Sequence, residues 1–349
     1  VKPVIVPFFI SHQGCPHTCV FCDQCAISGA NGTLPTAAQI SAKIELWRSS
    51  AGERPLEVAF FGGTFTALSH EIQEELLAPL QSFLDVGTIN SVRISTRPDY
   101  INAEHVAWLS EKGVRTIELG VQSLDDAVLT ASWRGHSAAD SLAAISCIKS
   151  GAVRVGVQLM PGLPGDTPLS SLASLERVIA AGADFLRIYP TVVLKGTELA
   201  RLYISGEFVP LSLERGVSLC ALLLQCAMRS GIPVIRIGLQ ADAGLNAESV
   251  LAGCWHPSLG QLVRSRLYAD LIDSFIPEAQ RVSVLCHPAR LSDVIGMKRI
   301  NLQRAAERGL EMQVLPDANL NKDELKILNA DVSTVYSIIK DIHYSIHEV

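Results

Sequence analysis

Between residues 4 and 237 the chain keeps one rhythm: a short apolar run, a helix-length amphipathic stretch, then the next apolar run. Runs at 4–10, 58–61, 91–96, 116–121, 153–159 and 185–189 read as strands, with 234–237 as a candidate seventh. Stretches at 37–48, 71–84, 103–112 and 169–181 read as the helices between them. Strand then helix at this spacing implies parallel strands joined by right-handed crossovers. Six or seven such units predict an α/β fold, a partial or complete (β/α) TIM-type barrel. Its working face is the C-terminal end of the strands.

The chain has 349 residues, which divide by this pattern into a barrel over 1–240 and a small C-terminal α+β extension over 241–349. Gly238 to Leu245 reads as the exit from the barrel. Beyond it the pattern predicts a helix over 261–275, a strand–helix–strand unit (282–285, 291–308, 312–315) and a helical tail from Val332. Apolar residues make up 48% of the chain and charged residues 18%, which favours a sizeable core over disorder. Nine cysteines, clustered early and then scattered, do not form a secreted disulfide framework and point to a reducing cytoplasm. The 4–10 run is too short for a membrane span and contains Pro7, so no signal peptide or membrane association is expected. The formal net charge of −6 counts mildly against a nucleic-acid partner, although a local basic groove is compatible with an acidic exterior.

The first strand runs into Gly14-Cys15-Pro16-His17-Thr18-Cys19-Val20-Phe21-Cys22, which places Cys15, Cys19 and Cys22 at C-x3-C-x2-C spacing on one loop. Soft thiolates select iron–sulfur clusters, zinc or copper, and three of them can hold three corners of a 4Fe–4S cube. Such a cube keeps one iron open to a small molecule. Cys25 leaves a second reading, a closed four-thiolate zinc or electron-transfer site, although four-cysteine zinc sites usually draw their pairs from two separated knuckles. In this spacing beside an N-terminal strand the chain resembles the radical S-adenosylmethionine (SAM) enzymes. The resemblance implies a 4Fe–4S cluster and SAM as cofactors, and a reductant such as flavodoxin or ferredoxin. It also implies reductive cleavage of SAM to a 5′-deoxyadenosyl radical.

Candidate cofactor contacts lie at the other strand ends. Gly62, Gly63 and Thr64 end the second strand, where glycines allow close backbone approach. By the same resemblance this turn hydrogen-bonds the amino group of SAM. Ser95 and Arg97 end the third strand and suit ribose hydroxyls and a carboxylate, the alternative being a cap for the helix near Asn102. Gln122 and Gln158 end the fourth and fifth. A glutamine pointing into a barrel mouth is costly unless hydrogen-bonded, so both are candidate polar contacts or satisfy internal backbone groups. Met160 and its Pro/Gly-rich turn suit a flat adenine ring, and Phe21 joins this set from the cysteine loop.

Ser95-Thr-Arg-Pro-Asp-Tyr100, Glu118-Leu-Gly-Val-Gln-Ser123, Arg134-Gly-His136, Met160-Pro-Gly-Leu-Pro164, Tyr189-Pro-Thr191 and Lys195-Gly-Thr197 follow one another along the barrel. In these motifs, over roughly residues 4–240, the chain resembles the catalytic subunit of Elongator. That family's radical SAM domain is implicated in modifying the wobble uridine of tRNA at carbon 5, with acetyl-CoA as carbon source. The resemblance implies that Tyr189 and Lys195, the candidate catalytic residues, lie near the substrate or the SAM carboxylate. This chain departs from the family in a closer spacing of the first two cysteines and in Ser132-Trp133 where asparagine usually precedes Arg-Gly-His. Past residue 240 its glycines (244, 253, 260, 296, 309) form no closely spaced acetyl-CoA pair, so the nearer likeness is to bacterial Elongator-like proteins without an acetyltransferase domain. tRNA is therefore the leading expected substrate. A radical SAM oxidase of a small molecule such as a porphyrinogen is the alternative enzyme, although coproporphyrinogen dehydrogenases typically carry tyrosine where Phe21 stands. A non-catalytic iron–sulfur RNA-binding protein is the third reading.

In the extension, residues 294–302 faintly resemble a KH module, with Arg299 in place of the second glycine of Gly-x-x-Gly. Lys298, Arg299, Arg304, Arg264 and Arg266 either contact phosphates or form a solvated face. Cys254-Trp255-His256 and Cys286-His287 are a metal pair or, alternatively, core cysteines with capping histidines.

Overall fold

A computed structural model of the chain describes residues 3–29, 32–239, 245–246, 248–275, 281–329, 332–344 and 346. The boundary expected at 240–241 lies outside the described residues, as do Gly244 and most of the expected barrel exit.

The N-terminal part alternates as its pattern requires: β1 (Val4–Phe9), α1 (Gln24–Ser28), α2 (Ala37–Ala51), β2 (Leu56–Phe61), α3 (His70–Leu77), α4 (Gln81–Asp85) and β3 (Ile89–Thr96). It continues through α5 (Ala103–Glu111), β4 (Val114–Gln122), α6 (Asp126–Ala131), α7 (Ala138–Ser150), β5 (Arg154–Leu159), α8 (Pro168–Ala180) and β6 (Phe185–Ile188). A short strand β7 (Val192–Leu194), α9 (Glu198–Ile204), α10 (Leu213–Arg229) and β8 (Val234–Ile237) complete it. The helix expected over 71–84 is two helices joined by a 3-10 turn at Ala78–Leu80, because Pro79 cannot donate to the preceding turn.

Seven parallel strands form one sheet in the order β1-β2-β3-β4-β5-β6-β8. The two end strands do not pair, so the sheet is a curled half-barrel with an open side. Val6 and Phe8, Val58 and Phe60, Val92 and Ile94 are buried on the helix-facing side. The alternate positions, among them Glu57, Arg93, Glu118, Gln158 and Arg187, line the concave face. The concave face is thus polar in its middle.

Beyond the half-barrel, β9 (Val250–Gly253) pairs antiparallel with β7, and α11 (Leu259–Phe275) packs against α10. Next come β10 (Arg281–Cys286), α12 (Leu291–Ile295), α13 (Ile300–Glu307), β11 (Glu311–Pro316), β12 (Glu324–Asn329) and β13 (Val332–Ser337). These strands make a four-stranded sheet in the order β11-β10-β12-β13, with β10 parallel to β11 and antiparallel to β12. The helical tail expected from Val332 is instead β13. Its β-branched Thr334 and Val335 suit an extended backbone, and β12 supplies the partner edge. The helix expected over 291–308 breaks at Gly296, where the backbone turns left-handed. Core residues of α10 and α11 are continuous with Val282, Val284, Ile327, Ile338 and Ile342, so extension and barrel share one core. Gln225 on α10 donates to the Ile338 and Ile342 carbonyls, which ties the C-terminal segment down.

The two Cys–His pairs of the extension resolve into structural roles. Cys254 and Cys286 are buried in the core. His256 Nδ1 accepts from the Ser258 amide and His287 Nδ1 from the Ala289 amide, each at 3.0 Å. No described helix is long and apolar enough to cross a membrane.

Candidate active site

The cysteine loop leaves the C-terminal end of β1 and is seated against the turn that ends β2. Gly63 sits at φ 60°, and a Cβ there would overlap the carbonyl oxygens of Ile10 and Gln13. Gly14, at φ 71°, lies equally close to the Thr64 carbonyl. Gly63 and Gly14 therefore let two backbones interlock. Gln24, which the sequence did not single out, locks the arrangement: its Oε1 accepts from the amides of His12 and Gly63, both at 2.6 Å. His12 returns the contact, with Nε2 accepting from the Gln24 amide at 2.9 Å.

Within the loop Cys19 is buried, and Cys15 and Cys22 are half-buried. Thr64 Oγ1 lies 3.4 Å from the Cys15 sulfur. Burial raises the Cys15 thiol, and pushes the Cys22 thiol to about 12, helped by the charges of Cys19 and Cys15. Thiols so raised ionise only when a soft cation takes their sulfur, so loading the loop releases protons. Cys25 stands apart in α1, where its sulfur groups with His12 and Asp23. Its neighbours are thus a histidine and a carboxylate.

Arg134 is the residue that sequence reasoning placed only in a motif. It is buried, donates through Nη1 to the Cys19 sulfur at 3.2 Å and through Nη2 to the Gly120 carbonyl at 2.6 Å, and its Nε has no partner among the described residues. Ser132 Oγ, His136 Nδ1 and Thr191 Oγ1 are likewise buried without partners. Buried polar atoms of this kind cost about 1–3 kcal/mol each unless a ligand or water meets them. Beside three cysteines, orphaned donors and acceptors fit a cluster and a polar ligand. The outer side of the loop borders a cavity of about 610 Å³ lined by His17, Thr18, Thr130, Trp133, Gly135 and His136.

The remaining candidates fall around the same end of the sheet. Gln122 holds φ 71° at a register shift between β4 and β5, a conformation rare for a side chain with a Cβ. Its Oε1 accepts from Gln158 Nε2 at 3.1 Å, so the two glutamines bind each other rather than backbone. Arg97 is buried and bidentate on Asp99, at 3.0 and 2.9 Å, which aims its fork. Ser95 is half-buried. Phe21 and Met160 belong to one apolar cluster with Cys19, Val20 and Leu163, so they form the greasy wall behind the loop. Tyr189 follows β6, and its Oη accepts from Arg187 Nη1 at 2.8 Å. Arg187 Nη2 in turn donates to Glu118 at 2.9 Å, and Glu118 also accepts from Arg93, which reaches Glu57. This buried chain of charges was not legible locally, because its members sit on four different strands. Lys195 is exposed in the turn after β7, four residues before Leu199, whose amide donates to the Val20 carbonyl at 2.7 Å.

The family model for the radical SAM superfamily matches residues 9–175, and that for the radical SAM C-terminal domain matches residues 183–269. The chain belongs to the radical SAM superfamily. It is a radical SAM enzyme whose cofactors are a 4Fe–4S cluster and SAM. The chain is 27% identical over 301 residues to a tRNA uridine(34) acetyltransferase of Methanocaldococcus infernus, covering 74% of this chain and 55% of that protein. It is 28% identical over 232 residues to Elongator complex protein 3 of Mus musculus, covering 61% and 42%. It spans about half the length of the curated relatives it matches. The solved archaeal Methanocaldococcus infernus Elp3 with an N-terminal deletion superposes with a TM-score of 0.61 at 24% identity, over 76% of this chain and 62% of that one, which supports the shared fold.

Proposed function

We propose that this radical SAM enzyme acts on tRNA, at a base presented to the open mouth of the half-barrel. The observation that carries the reading is the 27% identity over 301 residues to a tRNA uridine(34) acetyltransferase. Cys15, Cys19 and Cys22 would hold the cluster through their thiolates. When bound and reduced, the cluster and SAM would supply radical hydrogen-abstraction chemistry at the substrate.

The chain's own residues bind and orient. The Gly62–Gly63–Thr64 turn and Ser95 meet the amino and ribose groups of SAM. Arg97, aimed by Asp99, and Arg134, with an N–H to spare, meet its carboxylate. Gln122 and Gln158 hold the adenosine, with Met160 and Phe21 as its apolar wall. Tyr189 accepts from Arg187, so its own phenolic proton is left to donate to an acceptor on the substrate. Lys195 offers a charge from the exposed turn beside the loop.

The test is 5′-deoxyadenosine release by anaerobically reconstituted, reduced protein with and without bulk tRNA. Release that rises with tRNA supports the reading. Slow release indifferent to tRNA redirects the search to small molecules.

A further inference from the structure

Residues past 269 lie beyond both matched family models, and they carry a second candidate site. Seven arginines occupy the stretch from α11 to the end of the chain, and six of them face carboxylates. Arg264 and Arg290 share Asp293, Arg304 and Arg308 share Asp273, Arg266 meets Asp270, and Arg281 meets Glu311. Arg299 is the exception. It and Lys298 are exposed, and neither side chain has a hydrogen bond or ion pair among the described residues. These two cations are adjacent, on the loop between α12 and α13.

That loop is built rather than loose. Asn301 is buried and its Nδ2 donates to the Ser265 carbonyl, the Ser265 hydroxyl and the Val294 carbonyl, at 3.1, 3.1 and 3.0 Å. A Cβ on Gly296 would come within 3.0 Å of Ser265 Oγ and 2.7 Å of Ile300 Cγ2, so the turn is pressed onto α11. Lys298 (φ 51°, ψ 28°) and Arg299 (φ 63°, ψ 29°) are both left-handed, and Ile300 returns to the right-handed region. Their amides are spent inside the turn, Arg299 donating to the Gly296 carbonyl at 3.0 Å and Ile300 to the Met297 carbonyl, so the side chains are what this loop offers a ligand. Arg299 thus keeps the backbone that a glycine would adopt freely while adding a charge.

The loop is also placed near the working face. α11 starts against the C-terminal end of β8, where Leu259 packs on Gly238 and Gly260 on the Ile237 carbonyl. Ser265, which anchors the loop, is six residues on, about 9 Å along the helix axis.

We propose that the Gly296–Arg299 loop grips the phosphate backbone of a single-stranded RNA segment and holds it beside the barrel mouth. The proposal rests on the tRNA reading and names where that RNA is held. An acidic chain lacks the long-range attraction that would draw RNA in, so contact-range cations must act. Ile300, 44% exposed beside them, offers an apolar surface to the face of an unstacked base, which single strands present and duplexes do not.

The test is the double variant Lys298→Asn/Arg299→Gly in the full chain. Both replacements favour left-handed backbone, so the fold is kept or stabilised while both charges go. Binding is measured by anisotropy with a short labelled oligouridylate and with bulk tRNA across a salt series. We expect affinity on the order of tenfold weaker, and a slope of log affinity on log salt shallower by about 1.4, two single-strand phosphates at about 0.7 each. RNA-independent release of 5′-deoxyadenosine stays at the wild-type rate. Wild-type affinity and slope in the variant overturn the loop assignment and leave the tRNA reading standing. Competition by polyglutamate as strong as by oligouridylate overturns RNA as the occupant. A wild-type protein that binds neither RNA overturns this inference together with the tRNA reading.

Discussion

Arg134 and Cys19, 115 residues apart, meet at 3.2 Å through one guanidinium N–H and one sulfur. The contact puts a buried positive charge and a hydrogen bond on a proposed ligand of the cluster, and both would stabilise the more negative, reduced state. In Arg134→Gln the cluster still assembles on three cysteines, but its reduction potential falls. A loss of about 1.5 kcal/mol, ordinary for a hydrogen bond to a charged group, corresponds to about 60 mV for one electron. An EPR-monitored redox titration measures it, and an unchanged potential would remove Arg134 from this role.

The cysteines should divide by function. Cys19→Ala abolishes SAM cleavage while far-UV circular dichroism stays that of the folded protein. Cys25→Ala, whose sulfur sits with His12 and Asp23, keeps iron content and cleavage. The reverse pattern in iron analysis would reassign the ligands.

Gly63→Ala tests the seat of the loop. A Cβ there overlaps two carbonyl oxygens at positive φ, so the loop lifts off the β2 turn while the half-barrel remains. Iron retained after reconstitution drops several-fold, and thermal unfolding of the half-barrel changes little. Full iron occupancy would count against the interlock.

Glu118 lies between Arg93 and Arg187, with the first at 2.5 Å and the second at 2.9 Å. Glu118→Gln leaves buried guanidinium charge without its counter-ion, which costs about 3–5 kcal/mol. The urea midpoint falls accordingly. A shift typical of a surface substitution would mean that the network contributes little.

Acid should weaken the fold through His136. Burial first, then the charges of Arg134 and Arg97, lowers its pKa to about 4 from an ordinary 6.5, so the folded protein holds it neutral. Below pH 6.5 the unfolded chain takes up a proton that the fold refuses until about pH 4, so stability present at neutral pH is lost through that window. The loss reaches about 3 kcal/mol near pH 4. Comparing urea midpoints of the wild type and His136→Gln at pH 7 and pH 5 checks the sign: the variant's curve is flatter.

Much of the fold was legible in the chain. The strands at 58–61 and 91–96 reappear inside β2 and β3, and the C-x3-C-x2-C loop lies where the end of β1 puts it. The helix read over 71–84 failed at Pro79, and that over 291–308 at Gly296. Both breakers were visible, but amphipathic spacing outweighed them. Val332 onward failed for another reason: whether a β-branched segment becomes a strand depends on a partner, here β12, rather than on its own pattern.

The sequence by itself determined the alternation of strand and helix, the polar ends of the strands and the spacing of three thiolates. These are properties of neighbours along the chain, set by side-chain periodicity and backbone reach. Only the tertiary structure decided that the sheet stays open, that Gln24 locks the loop and that Arg134 reaches Cys19. It also decided that, among the described residues, one arginine of the extension is left without a carboxylate. Contacts of this kind join residues far apart in sequence, and no local spacing encodes which charge will be compensated and which will face a ligand.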